Sequence, residues 1–129
     1  MTVVLDADVL VGALDGQDAH HADARARFEA WDRDDEGRVM SAVNLSEVLV
    51  GPSRDPELLR RARAAIATLR VTIHRPGENV AVDAARVRAR HPISLPDAYL
   101  LATARHLEAT VASFDAKVLQ AAGRERIPA

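Results

Sequence analysis

Four acidic residues, far apart in the chain, each stand where an apolar run gives way to the predicted start of a helix. Every strand-to-helix junction of a parallel α/β sheet lies on one edge of the molecule, so these residues are expected to meet in one pocket. Carboxylates that share a pocket repel each other, so they must take up protons or bind a cation. Oxygen ligands favour Mg²⁺ or Mn²⁺. The four are Asp6 in VVLDADVLVGAL, Glu47 in SAVNLSEVLV, Asp97 in SLPDAYLLATA and Asp115 in TVASFDAKVL.

Each of these acids also has an ordinary structural explanation. Glu47 has capping-box spacing from Asn44, which predicts a helix from Leu45, and Asp97 lies in a predicted first helical turn. Asp115 could cap the helix that follows it. Taken singly, the structural role is favoured for each of them.

Two features favour a joint site instead. Asp6 ends an apolar strand at a position where we expect no helix cap. Asp97 and Glu47 fall on the apolar sides of their predicted helices, and no lysine or arginine lies one turn away on either side. A charge on a core-facing stripe is costly unless it is paired or bound to a metal.

A fifth acid, Asp8, is predicted to cap a helix over residues 9–14, with an assisting role in the pocket as the alternative. The five histidines are scattered, and no two are spaced i, i+4, so we interpret them as surface or turn residues. They give no support for a softer metal such as Zn²⁺.

The bulk composition is that of an ordinary globular domain. The chain has 129 residues, of which 48% are apolar and 28% charged, and this length predicts one domain. The absence of cysteine excludes disulfides and thiolate metal sites and fits a reducing compartment. Because no apolar run approaches ~18 residues, a membrane span is not expected and we predict a cytoplasmic protein.

The net charge of −2 conceals an uneven distribution. Residues 1–52 carry 11 acids and 4 bases, whereas residues 53–90 carry 9 arginines and 4 acids. An acidic pocket beside an arginine-rich surface suits a polyanionic substrate. A solvated arginine face is the more common explanation of the same pattern.

Short β-branched runs alternate with helical patterns along the chain. This alternation predicts an α/β fold, doubly wound around a mostly parallel sheet of four or five short strands with flanking helices. The last helix is predicted to end at Gly123 as its C-terminal cap. The predicted strands cover residues 2–5, 38–42, 71–73 and 110–113. Helices are predicted over 9–14, 20–33, 56–69, 78–90 and 116–122, with another beginning at Leu45 and one whose first turn contains Pro96.

The acidic segments resemble, in order and spacing, the motifs of PIN-domain nucleases, and most closely the VapC-type toxins of bacterial toxin–antitoxin pairs. The segments are VVLDADVL, NLSEVL, LPDAYLLATA and SFDAKV. The resemblance covers essentially the whole chain and implies one PIN-like nuclease domain over residues 1–129, folded as a three-layer sandwich. It departs from the family at Asp8, where relatives commonly have Ser, Thr or Asn.

By position, the resemblance implies four catalytic acids and one small hydroxyl residue. Metal ligands would be Asp6, Asp97 and Asp115, with one or two Mg²⁺ or Mn²⁺ ions, and Glu47 would ligate directly or serve as base. Ser113 corresponds to the hydroxyl residue before the fourth acid. The implied activity is metal-dependent endoribonuclease cleavage of RNA by hydrolysis.

The resemblance also implies partners. A type II toxin of this kind would form a homodimer and bind a cognate antitoxin whose tail occupies the acidic pocket. RNA would be the substrate, with its phosphate backbone contacted by arginines that we place at Arg60, Arg61 and Arg63.

Two alternatives remain open. The segment VVLDADVLV also resembles the opening motif of haloacid-dehalogenase-like phosphohydrolases, with Asp6 as nucleophile, although Leu10 stands where that motif has Thr or Val. The only lysine, Lys117, comes after Asp115 rather than before the last acidic motif. The second alternative is a catalytically inactive PIN-fold module that only binds.

Overall fold

A four-stranded parallel sheet forms the centre of the protein. The structure is a computed structural model that describes residues 1–129. The strands are β1 (Thr2–Leu5), β2 (Gly37–Ser41), β3 (Val71–His74) and β4 (Thr110–Ala112). All four run parallel in the order β3-β2-β1-β4, so β1 is flanked by β2 and β4. The predicted parallel α/β sheet is confirmed.

Seven helices cover the two faces of the sheet. The helices are α1 (Ala7–Leu14), α2 (His21–Arg33), α3 (Ala42–Leu49), α4 (Pro56–Thr68), α5 (Glu78–Arg90), α6 (Leu95–Leu107) and α7 (Ala116–Arg124), with a 3₁₀ turn at Pro52–Arg54. The side chains of β1 alternate between the two faces, as the strand period of two requires. Val3 and Leu5 join the core formed with α1 to α4, and Val4 joins the core formed with α5 to α7.

Two helix starts lie earlier than the sequence predicted. Helix α1 begins at Ala7 and its N-cap is Asp6, so the prediction that Asp8 caps this helix is wrong. Helix α3 begins at Ala42 because the hydroxyl of Ser41 accepts a hydrogen bond from the Val43 amide. The residue directly after β1 caps α1, and the last residue of β2 caps α3.

The end of α7 also differs from the prediction. Gly123 lies inside the helix, and the chain turns at Arg126, which has a φ of 60°. Glu125 then reaches His91, a histidine interpreted from the sequence as a surface or turn residue, which follows the end of α5 but is buried, and also binds Arg90 and Arg105. Hydrogen bonds from these three side chains lower the pKa of the Glu125 carboxyl well below its usual range, with Arg90 contributing most.

The strand order places a topological switch point between β1 and β4. The chain moves from β1 outward through β2 to β3 and then returns to the other side of β1 as β4. In open α/β sheets, ligands bind at the carboxyl ends of the strands beside such a switch. Asp6 follows β1 and Ser113 follows β4, so both residues lie at this point.

None of the seven helices combines the length and the apolar content that crossing a membrane requires.

Candidate active site

Asp6 is the most buried of the acids, with 6% of its surface exposed. Its backbone amide donates to the carbonyl of Ala112 at the end of β4. Its Oδ1 accepts from the amide of Ala7 at 2.7 Å, and its Oδ2 accepts from the hydroxyl of Ser113 at 2.7 Å. Asp6 therefore caps α1 as well as facing the pocket, and the expectation that no cap is needed at this position is wrong.

Ser113 connects the first and last acids. Its buried hydroxyl donates to Asp6 and accepts from the backbone amide of Asp115 at 3.0 Å. Asp115 is exposed and caps α7 through Oδ1, which accepts from the amide of Lys117 at 2.9 Å. A single hydroxyl thus holds two residues that are more than a hundred positions apart in the sequence.

Asp8 lies in the first turn of α1 and points across to the loop after β4. Its Oδ2 accepts from the backbone amide of Phe114 at 3.0 Å. Its Oδ1 is buried and has no hydrogen-bond partner. A buried oxygen left without a donor is costly and needs an explanation, of which a bound ion is one.

The rim beside Asp8 carries an aromatic stack that could not be predicted from the sequence. The rings of His20 and Phe114 are parallel within 10° and 4.3 Å apart, and the guanidinium of Arg27 lies 4.6 Å from the Phe114 ring centre. The three residues come from two different parts of the chain, so no local spacing connects them.

Asp97 occupies the first turn of α6, where it forms a reciprocal capping box with Ser94. The amide of Ser94 donates to Asp97 Oδ2, and the amide of Asp97 donates to Ser94 Oγ, both at 3.2 Å. The side chain is partly exposed rather than embedded in the core. It nevertheless lies close enough to Asp6 to raise the pKa of that residue.

Glu47 stands apart from the other four acids. It is exposed on α3, so the prediction that it lies on the core-facing side of its helix is wrong, and the core-facing residues are Asn44 and Val48. The prediction treated Asn44 as the cap before the helix, whereas the earlier start of α3 places Asn44 within it. The amide group of Asn44 donates to Glu47 Oε1 and to the carbonyl of Pro96 on α6, both at 3.1 Å.

The electrostatics of the pocket favour protonation in the absence of a cation. Burial is the largest cause that raises the pKa of Asp6, from 3.8 to about 7, followed by the nearby charge of Asp8. The Ser113 hydroxyl opposes this rise, and Asp97 adds to it. The pKa of Asp8 is raised mainly by burial, with a smaller contribution from Asp115.

No salt bridge neutralises this group of acids. All salt bridges of the molecule lie elsewhere, and none involves Asp6, Asp8, Glu47, Asp97 or Asp115. Burial raises the pKa of Asp8 more than nearby His20 lowers it. The structure therefore gathers Asp6, Asp8, Asp97 and Asp115 at one end of the sheet without an ion pair to balance them.

The donor set fits a hard divalent cation in chemistry, although not as a preformed cage. Every candidate ligand is a carboxylate oxygen, and Asp8 Oδ1 is buried without a partner, as expected for an oxygen that lacks a cation. Asp97 and Asp115 each use only one oxygen for their backbone hydrogen bonds. No three acidic, histidine or cysteine side chains are close enough together to form a ready metal site.

The three candidate RNA-contacting arginines lie on the exposed surface of α4. Arg60 and Arg61 both bind Glu57, at 2.6 Å and 3.1 Å. Arg61 also lines a groove of about 590 Å³ between α1, α3 and α4, whose opposite side includes Glu47. Arg63 lines a separate exposed depression with Arg60.

Comparisons with solved structures agree with the fold. A toxin–antitoxin complex from Klebsiella pneumoniae contains a chain 24% identical to this one, with 91% of this chain and 89% of that chain covered and a TM-score of 0.74. VapC20 of Mycobacterium tuberculosis, described as a Sarcin-Ricin loop cleaving toxin, is 18% identical, with coverages of 92% and 94% and a TM-score of 0.75. FitAcB from Neisseria gonorrhoeae is 21% identical, with coverages of 98% and 94% and a TM-score of 0.69.

Comparison with curated proteins gave no significant match. At these identities the structural likenesses establish a shared fold. The PIN domain family model matches residues 3–124, nearly the whole chain. The chain therefore belongs to the PIN domain family.

Proposed function

We propose that this protein is a metal-dependent endoribonuclease, the VapC-type toxin of a bacterial type II toxin–antitoxin pair, with residues 1–129 as its single nuclease domain. The observation that carries the proposal is the buried Asp6, which is surrounded by other carboxylates and lacks a protein cation. Membership of the PIN domain family and the fold shared with VapC20 support it. We also propose that the protein is located in the cytoplasm.

In this proposal, Asp6, Asp97 and Asp115 hold one or two Mg²⁺ or Mn²⁺ ions. Asp8, which adds an unpartnered oxygen beside Asp6, is an additional candidate ligand rather than a helix cap. The bound ions would supply Lewis-acid activation of water and would offset the charge of the phosphodiester.

The remaining site residues orient these groups and move protons. Ser113 donates to Asp6 and so keeps its Oδ2 directed at the junction with β4. Glu47 is exposed and hydrogen-bonded through one oxygen only, which leaves Oε2 free to accept a proton from the attacking water. No side chain needs to become covalently attached to the substrate.

Family membership sets aside the phosphohydrolase alternative in which Asp6 is the nucleophile. The inactive PIN-fold binding module remains a second candidate. The observation that favours it is the absence of three acids close enough together to form a ready metal site.

We propose an antitoxin and a second copy of the chain as protein partners. Chains in toxin–antitoxin complexes share this fold, and an acidic pocket without a cation would attract an inserted arginine or lysine. Light scattering of the purified chain, alone and with the product of the neighbouring gene, tests both ideas. A monomer in each sample would remove both partners.

Replacement of Asp97 by Asn tests the proposed activity most simply. We expect the wild type to cleave total RNA with Mg²⁺ and to stop with EDTA, and Asp97→Asn to lower the rate by at least ~100-fold, because a charged ligand is lost. Asn keeps an oxygen for the Ser94 amide, so the fold should persist. The rate is measured by gel densitometry and the fold by circular dichroism.

Asp55→Asn is the matched control, because the Asp55 side chain also accepts a backbone amide at a helix start, as the N-cap of α4, but takes no part in the group of acids. An unchanged rate in Asp97→Asn would remove Asp97 from the site. A wild type that shows no Mg²⁺-dependent cleavage would favour the inactive binding module.

The stability of the metal-free protein should fall as the pH rises from about 4 to about 7. Folding raises the pKa of Asp6 to about 7, so in this range the native state binds more protons than the unfolded state. The loss should approach about 4 kcal/mol, since three pKa units correspond to that amount. Asp6→Asn cannot ionise and should lose most of this dependence.

Urea denaturation at pH 4 and pH 8, in the presence of EDTA, measures the effect. At pH 8 the Asp6→Asn variant should be the more stable protein, and Mn²⁺ should stabilise only the wild type. Parallel pH profiles for the two proteins would contradict a buried, charge-repelled Asp6.

The arginines of α4 should bind RNA without reading its sequence. We expect the triple variant Arg60→Gln, Arg61→Gln, Arg63→Gln to bind single-stranded RNA more weakly and to reduce the slope of log affinity against log salt by about 0.7 per lost phosphate contact. Fluorescence anisotropy at several salt concentrations measures the slope. Arg86→Gln with Arg88→Gln, on α5 across the sheet, is the control. An unchanged slope in the triple variant would show that this surface is only solvated.

A further inference from the structure

We propose that Asn44 is a positioning residue that joins Glu47 to the helix turn carrying Asp97, and so sets the arrangement of two acids from separate parts of the chain. This role rests on the proposed nuclease function and deepens it. Asn44 would not touch the substrate or the cation. It would act only through the two groups that it binds.

The side chain of Asn44 is fully buried and both of its donors are used at the site. One N–H of the amide donates to Glu47 Oε1 and the other to the carbonyl of Pro96, each at 3.1 Å. Pro96 precedes Asp97 in the first turn of α6, where Ser94 completes the capping box. Asn44 is therefore the hydrogen-bonded link between α3 and the start of α6.

The remaining atom of this amide argues against a role in stability alone. Asn44 Oδ1 is buried without any hydrogen-bond partner. A buried acceptor without a donor is unfavourable, and an apolar residue of similar size would avoid that cost. The neighbouring core residues Val48 and Ala98 are apolar, so packing alone does not explain an amide at this position.

Glu47 needs such a tether because nothing else holds its side chain. It is exposed, it forms no salt bridge, and the bond from Asn44 is its only side-chain hydrogen bond. A free glutamate on a helix surface samples several rotamers, and fixing one of them lowers the entropy lost when the site assembles. The bond to Pro96 connects this fixed carboxylate, through the Asn44 amide, to the turn of Asp97.

Asn44→Leu separates a positioning role from a structural tie. Leucine keeps the volume and removes both hydrogen bonds together with the unpartnered oxygen. For a positioning residue, the Kd for Mn²⁺ should rise and kcat/KM should fall, each roughly 10- to 100-fold, which is typical of groups that orient metal ligands. The melting temperature should stay level or rise. A residue that only ties α3 to α6 would lower the melting temperature and leave the Kd for Mn²⁺ unchanged.

Thr103→Val is the matched control for burial. Thr103 is also fully buried with an unpartnered Oγ1, and it lies on α6 away from the acids. This variant should bind Mn²⁺ as the wild type does. In a Glu47→Gln background, Asn44→Leu should cause a much smaller further loss of kcat/KM, because the tethered base is already gone.

Titration calorimetry with Mn²⁺ alone, together with thermal denaturation, decides between the outcomes. Should Asn44→Leu fold poorly, Asn44→Thr keeps one hydroxyl donor and should give intermediate Mn²⁺ affinity. Wild-type affinity in either folded variant, or losses of kcat/KM that add fully with those of Glu47→Gln, would overturn the positioning role only. A wild type without saturable Mn²⁺ binding would overturn the proposed function and this role with it.

Discussion

The burial of a carboxylate at the junction of β1 and α1 is the constraint on which the rest of the site depends. Asp6 must follow the central strand and cap the helix, so its charge is placed where water has little access. Burial and the neighbouring acids raise its pKa to about 7, and no basic side chain offsets them. A protein that is to keep this group ionised therefore requires a cation from outside.

The fold supports this placement at each step. The strand order puts β4 beside β1, so the hydroxyl of Ser113 can reach Asp6 and the amide of Asp115. The capping box that starts α6 brings Asp97 to the same edge of the sheet. Asp6, Asp97 and Asp115 are each a helix cap or lie in a first helical turn, so the structural explanation of these three residues is correct and is compatible with the proposed site.

The sequence predicted the fold and the grouping better than the local details. The carboxyl ends of parallel strands all lie on one edge of the sheet, so acids that follow apolar runs are predicted to lie there together. The parallel sheet itself is confirmed. The cap at Asp8 was wrong, because the chain turns into α1 directly after the strand. The prediction of which side of α3 faces the core was also wrong. The helix has only eight residues, so a start three residues earlier than predicted leaves too few positions for the apolar pattern to identify that side.

Contacts between distant segments could not be predicted at all. The bond from Asn44 to Pro96 and the network of His91 with Glu125 join residues more than thirty positions apart, and nothing in the local spacing indicates them. The same applies to Asp8, whose oxygen pairs with the amide of Phe114 rather than with its own helix. Such pairings follow from packing, which depends on the whole fold.

Diffraction from crystals grown with Mn²⁺, recorded near the manganese absorption edge, addresses the shared cation most directly. If Asp6, Asp97 and Asp115 bind one ion, an anomalous peak must lie roughly 2–2.5 Å from an oxygen of each. A saturating Mn²⁺ soak that leaves no peak among these three carboxylates, with their side chains still apart, would contradict the proposal.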